Sequence, residues 1–225
     1  MKTILLSLMT FILFSAPSMA KTKWSDFSLS YLKGSDYELG DNKREVISFE
    51  YANGSTWGDT FMFFDRLISD NGDVETYGEY NSRFHVKKFN GFIKNVYVAG
   101  TLEMGPGNNY LFGVGTDLDV PYFKFVQLNL FHRNNAFGGN NYQATFVWSA
   151  PIGPLTYTGF IDYATEYDSY EASMNFTSQL GYDFAPALNM KNKFIVGIEY
   201  VYWDNKFGID SIDERNANLL IKYHF

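Results

Sequence analysis

The chain ends Asn218-Leu219-Leu220-Ile221-Lys222-Tyr223-His224-Phe225. Successive side chains of a strand point to opposite faces. Leu219, Ile221, Tyr223 and Phe225 therefore share one face, and Asn218, Lys222 and His224 share the other, with Leu220 its one apolar member. A last strand that stops on an outward aromatic suits an outer-membrane barrel closing against its first strand. The same aromatic, Phe225, suits the C-terminal signal read by barrel-assembly machinery. The edge strand of a secreted sandwich alternates in the same way, so the rest of the chain has to arbitrate.

At the other end, Lys2 precedes an apolar run, Ile4 to Phe14, and Ser18-Met19-Ala20 places small residues where a signal peptidase reads them. This predicts a secretory signal peptide over 1–20 and a single domain over 21–225. Setting Lys2 aside leaves 17 of the 18 Lys and Arg against 25 Asp and Glu, a formal charge of −8. That balance argues against a nucleic-acid partner. There is no cysteine, which excludes a disulfide framework and thiolate metal sites. The 17 Tyr and 22 Phe are far more than a soluble core of this size needs. Beyond the leader no apolar run is long enough for a membrane helix. Aromatic and glycine richness with short alternating segments points to a transmembrane β-barrel.

Twelve such segments can be read, each about as long as a tilted membrane-crossing strand. They run Trp24 to Lys33, Arg44 to Ala52, Thr60 to Leu67, Tyr77 to Phe89, Ile93 to Met104 and Asn109 to Val120. The second half has Phe123 to Arg133, Asn141 to Ala150, Leu155 to Ala164, Ala172 to Phe184, Phe194 to Asp204 and Asn218 to Phe225. One face of each is apolar and almost free of charge through its centre, as in Phe194, Val196, Ile198, Tyr200 and Tyr202. An Arg or Lys facing lipid at mid-depth costs about 2–4 kcal/mol, so a lipid-facing row stays clean. Alternation alone does not say which face is wet. Strand length, strand number and the two termini favour a monomeric, twelve-stranded antiparallel transmembrane β-barrel. Asn53-Gly54 and Asn90-Gly91 read as tight hairpin turns, because Asn-Gly accepts positive φ. Prolines at 121, 151, 154 and 186 mark turns on the same side. Both termini are expected on that side, in the periplasm of a Gram-negative cell, with longer loops outside.

The inward rows mix charges of both signs: Asp26, Glu50, Asp65, Arg83, Lys87, Glu103, Asp117, Asp119, Arg133, Asp162, Glu199 and Lys222. Phe61, Phe63, Phe131, Phe160 and Trp203 share those rows. A structural ion-pair network explains the charges alone. Charge interleaved with rings also suits a flat polar solute that stacks and exchanges its hydroxyls for side-chain contacts. A pore binds weakly at several sites so that solute can leave. His85, His132 and His224 have no nucleophile imposed beside them, and HExxH and GxSxG are absent. Asp117-x-Asp119 supplies too few oxygens for calcium. No catalytic residue, metal or cofactor is expected.

Leu111-Phe-Gly-Val-Gly-Thr-Asp-Leu-Asp119 resembles the Gly-x-Gly-Thr-Asp-x-Asp run of the nucleoside-specific outer-membrane channel family of Tsx and OmpK. The Glu79 to Val86 segment with Arg83-Phe84, the Ala150-Pro151-Ile152 turn with Tyr157-x-Gly159-Phe160, the leading Trp24-x-Asp26 and the closing strand are similar too. The resemblance spans essentially the whole chain after the leader. It implies a monomeric barrel in outer-membrane lipid, passive uptake of nucleosides, and phage or colicin use of the outer loops. It implies that Asp26, Arg83, Asp117, Asp119 and Phe160 line the path. Two other readings stay open: a weakly selective channel for small polar solutes, and a plugged barrel with a structural or adhesive role.

Overall fold

The computed structural model describes residues 21–225, and the expected signal peptide over 1–20 lies outside the described residues. Its strands are β1 (Thr22–Gly34), β2 (Arg44–Ser55), β3 (Gly58–Ser69), β4 (Val74–Lys88), β5 (Ile93–Met104) and β6 (Asn108–Leu118). They continue with β7 (Phe125–Asn134), β8 (Asn140–Ile152), β9 (Leu155–Ala164), β10 (Ser173–Asp183), β11 (Phe194–Asp204) and β12 (Glu214–His224). Each pairs antiparallel with its neighbours in sequence, and β1 pairs with β12 to close the barrel. The shortest strands have 10 residues. At about 3.3 Å per residue and a tilt near 40°, that length crosses about 25 Å, the height of an outer-membrane apolar band.

Burial settles which face is wet. The inward polar residues Ser28, Ser30, Asn216 and Asn218 are 2 % exposed or less. Outward Phe112, Val114, Leu130 and Ile198 are half exposed or more. A soluble sandwich would reverse this, whereas a bilayer is the solvent these rows need. Outward charges sit near strand ends, as in the Lys33–Glu45 pair at 2.9 Å.

The closing strand seats as its alternation implies. Ser28 faces His224 and Tyr31 faces Ile221 across the seam. The Phe225 N–H donates to the Phe27 carbonyl at 2.9 Å, and the two rings stack at 4.8 Å.

The structure corrects three local expectations. Asn53-Gly54 is not a turn. β2 runs through it, with Asn53 opposite Ser25 and Thr60, and the connection is Thr56-Trp57. Gly54 lies under the Trp24 indole, where a Cβ would come within 2.3 Å of Nε1. The turn glycine is Gly58, with φ 150° and a Cβ position 1.8 Å from the Arg83 carbonyl oxygen. Lys87 does not join the inward row, because a bulge after His85 sets it opposite outward Val96. Asp119 does not line the lumen. β6 ends at Leu118, and exposed Asp119 pairs with Lys94 at 2.7 Å in the next connection. Asn90-Gly91 does lie in a connection, between β4 and β5.

The rim holding both termini is called here the terminal rim, and the opposite one the far rim. Terminal-rim connections range from the two residues between β8 and β9 to the ten between β10 and β11. Far-rim connections range from the three between β5 and β6 to the nine between β1 and β2. The asymmetry of length is weaker than the spacing of Gly and Pro implies.

Candidate functional site

Because inward residues recur every second position, neighbouring strands bring distant carboxylates and cations together inside the barrel. Three networks result. In the first, Arg83 of β4 makes a bidentate contact with Asp59 of β3, Nε at 2.8 Å and Nη2 at 2.7 Å. Nη2 also reaches Asp117 of β6 at 3.0 Å. Asp117 accepts from Asn95 at 2.9 Å and from the Tyr97 hydroxyl at 2.6 Å, and the guanidinium lies 4.3 Å over the Tyr97 ring.

In the second network, Arg133 of β7 pairs with Glu103 of β5 at 2.7 Å and donates to Gln143 at 2.9 Å. Glu103 accepts from Asn109 at 2.7 Å. Glu79 accepts from the Tyr77 hydroxyl at 2.7 Å, and Asp162 accepts from Thr145. Glu79, Glu103 and Asp162 lie within Coulombic reach of one another, although Glu79 is on β4 and Asp162 on β9.

In the third, Lys222 of β12 binds both oxygens of Glu50 at 3.0 Å and the Gln179 side-chain oxygen at 3.0 Å. Gln179 donates to Glu199 at 2.8 Å, and Asn218 donates to it at 3.1 Å. Asp65 faces this group, and its Oδ1 has no hydrogen-bond partner among the described residues. Asp26 stands apart near the terminal rim, paired with His224 Nδ1 at 2.8 Å. Between the rims the described inward rows hold nine carboxylates and three cations, so the lumen is acidic.

Aromatic rings run beside these groups. Phe61 and Phe63 have centroids 6.0 Å apart, and Phe63 and Tyr77 5.9 Å. They form a ladder along β3 and β4. Phe160 lies on β9, six strands round the barrel from β3. It is two residues from Asp162, and Phe63 is directly paired with Glu79. Rings on two opposite walls thus adjoin carboxylates that lie within Coulombic reach of each other. Phe131 differs: it is 6 % exposed and packs with Ala99 and Leu111 as wall core, so it lines no open path. Trp203 is held near the far rim, its Nε1 donating to Ser173 at 2.9 Å.

Two functional elements were not read from the sequence. Asp59 has the parity of Phe61, Phe63 and Asp65, but it sits one residue after the turn, where alternation has no upstream partner. The β1–β2 loop, 35–43, reads from the sequence only as one of the longer connections, with nothing to say that it turns inward. It folds over the far end of the lumen. Asp36 N–H donates to Asn216 Oδ1 at 3.3 Å, the Tyr37 hydroxyl to Asn218 Oδ1 at 2.9 Å and Glu38 N–H to Glu214 Oε2 at 2.8 Å. The Tyr37 ring packs on Leu32, Val46 and Leu220, and burial with the nearby Glu199 and Glu214 carboxylates raises its phenol well above the usual range. Buried Arg44 donates to the Leu39 carbonyl and to the Asp41 carbonyl at 2.9 Å, fastening the loop base. The backbone N–H groups of Lys43 and Asn71, at 3.1 and 2.8 Å, hold the Asp41 carboxylate below its ordinary value. Lys206, in the β11–β12 connection, forms a buried ion pair with Glu214. Burial lowers its ammonium pKa more than Glu214 restores it. A cleft of ≈ 580 Å³ remains between the loop and Asp213 and Arg215.

No family model matches the sequence. Outer membrane protein OmpK of Vibrio parahaemolyticus serotype O3:K6 (strain RIMD 2210633) is 26% identical over 172 residues, covering 63% of this chain and 64% of OmpK. Over that span this chain is similar to OmpK. The match spans a little under two thirds of OmpK's own length. Among solved structures, the KdgM porin superposes with a TM-score of 0.56 at 14% identity, covering 90% of this chain and 99% of KdgM. The NanC porin superposes with a TM-score of 0.54 at 12% identity, covering 89% and 99%. KdgM is also known in complex with disordered oligogalacturonate. The likenesses agree with the closed twelve-strand antiparallel barrel, and the chain is a Gram-negative outer-membrane β-barrel.

Proposed function

We propose that the barrel is an outer-membrane channel for passive diffusion of small polar solutes, with nucleosides as its preferred cargo. The observation that carries this reading is the ring ladder Phe61, Phe63 and Tyr77 facing Phe160, beside Glu79 and Asp162. A base is flat and can stack on such rings, while ribose hydroxyls donate to carboxylates. Each contact is modest, which lets the solute leave. The acidic lumen favours neutral or cationic cargo over a polyanion such as the oligogalacturonate bound by KdgM. The similarity to Outer membrane protein OmpK supports the outer-membrane setting that such a channel needs.

A second reading, a weakly selective channel, is favoured by the spread of the three networks over the whole wall. The far-rim loops are the surface that a phage or colicin would use. Both termini then lie in the periplasm, residues 1–20 are removed on export, and Phe225 meets the assembly machinery there.

Single-channel recording in planar bilayers, repeated with added nucleosides, tests the reading. Nucleoside-dependent block is expected, and Phe160→Ala should raise the blocking concentration about tenfold, the loss of one stacking contact of roughly 1.4 kcal/mol. Current without block supports the weakly selective channel. No current points to a plugged barrel and overturns both.

A further inference from the structure

The charged side chains of 21–225 sort by position. The far rim and its loops hold fourteen carboxylates and six cations, the inward rows nine and three, and the terminal rim two and eight. The terminal rim is therefore the one strongly basic part of an acidic protein.

Its cations are all lysines, and they are spread around the circumference. Lys23 is on β1, Lys87 and Lys88 end β4, Lys124 precedes β7, and Lys191 and Lys193 precede β11. All six are exposed, and none has an ion-pair partner among the described residues. Lys94 alone is paired there, with Asp119. Three of the six far-rim cations are paired, Lys33 with Glu45, Arg44 with Glu75 and Lys206 with Glu214, and all six stand among fourteen carboxylates.

Exposed aromatics accompany the lysines. Trp24 follows Lys23, Phe89 follows Lys88, and Phe123 precedes Lys124. The Lys87 ammonium lies 5.0 Å over the Phe89 ring. Amines and rings together at strand ends suit headgroup depth, where both the ring and the ammonium are solvated favourably.

We propose that this lysine belt binds the anionic headgroups of phospholipids in the leaflet that the terminal rim meets. Unpaired ammoniums attract anionic lipid. A belt distributed around the barrel matches an annulus of lipid. A docked protein would instead need its contacts gathered on one side. The inference does not depend on which solute crosses the lumen.

The test uses the purified barrel in nanodiscs of equal phosphatidylcholine and phosphatidylglycerol. Lipids that stay bound on extraction into neutral detergent are counted by native mass spectrometry. A several-fold excess of phosphatidylglycerol is expected. The K87Q/K88Q/K124Q/K193Q variant should lose that excess, and K33Q/K43Q/R66Q/R215Q, at the far rim, should keep it. Equal retention of the two lipids, or equal loss in both variants, overturns the proposal. Folding is verified by the heat-dependent gel mobility of barrels. If the first variant does not fold, wild-type protein in about 0.5 M salt decides, where the Debye length falls to several ångströms. An excess that disappears supports the belt, and one that persists overturns it.

Discussion

Two different parts of the chain make polar networks on the lumen side. Toward the terminal rim, Arg83 is locked to Asp59 and Asp117, all three on strands. At the far end it is the β1–β2 loop that is fastened to β12 through Asn216, Asn218 and Glu214. The Arg83 partners are 24 and 34 residues away in sequence, whereas Tyr37 and Asn218 are 181 apart. A strand-borne network is part of the ladder and moves only if the barrel does. A loop-borne one can detach while the ladder stays intact, because local opening costs less than global unfolding.

Three experiments bear on that contrast. Arg83→Ala leaves two carboxylates facing each other around a 93 % buried position, so it should cost about 3–5 kcal/mol of stability. The urea midpoint of refolded protein measures this, and a change below 1 kcal/mol would mean that the contact is not structural. Tyr37→Ala removes one hydrogen bond and a packed ring from a loop. It should cost about 1–2 kcal/mol while raising single-channel conductance. A conductance equal to wild type would show that the loop does not obstruct the path.

The smallest effect concerns Asp41. Its carboxyl pKa is depressed in the folded loop, so its contribution is complete above the ordinary carboxylate value near 4. That contribution is lost as pH falls through the depressed value. Protease nicking of the loop should therefore rise as pH falls below about 4, and Asp41→Asn should abolish that rise. Nicking with the same pH profile in both proteins would assign the transition to another group.

The same contrast explains what could be read in advance. Strand number, parity and closure were legible because two-residue periodicity and the Phe225 terminus encode them locally. Glu50, Arg83, Asp117, Asp162 and Glu199 face inward as their parity requires. Which carboxylate each cation takes was not legible, since pairs such as Lys222 with Glu50 depend on stagger around the whole barrel. Lys87 was misplaced because a bulge shifts register without changing composition. Asp119 was misplaced because the strand stops at Leu118, two residues before the apolar pattern does. The inward loop was invisible because Tyr37 among Asp, Glu and Gly reads as an ordinary surface turn.

The seam between β1 and β12 has a kinetic consequence. Every other strand pair is a hairpin between sequence neighbours, formed across 10 residues or fewer of connection. The seam joins groups as far apart as Asp26 and His224, 198 residues. Loop closure over that span is the slowest ordering event the topology demands. β1 thus waits with one unpaired edge while eleven strands assemble, and the barrel becomes a closed shell only when Phe225 comes to rest on Phe27.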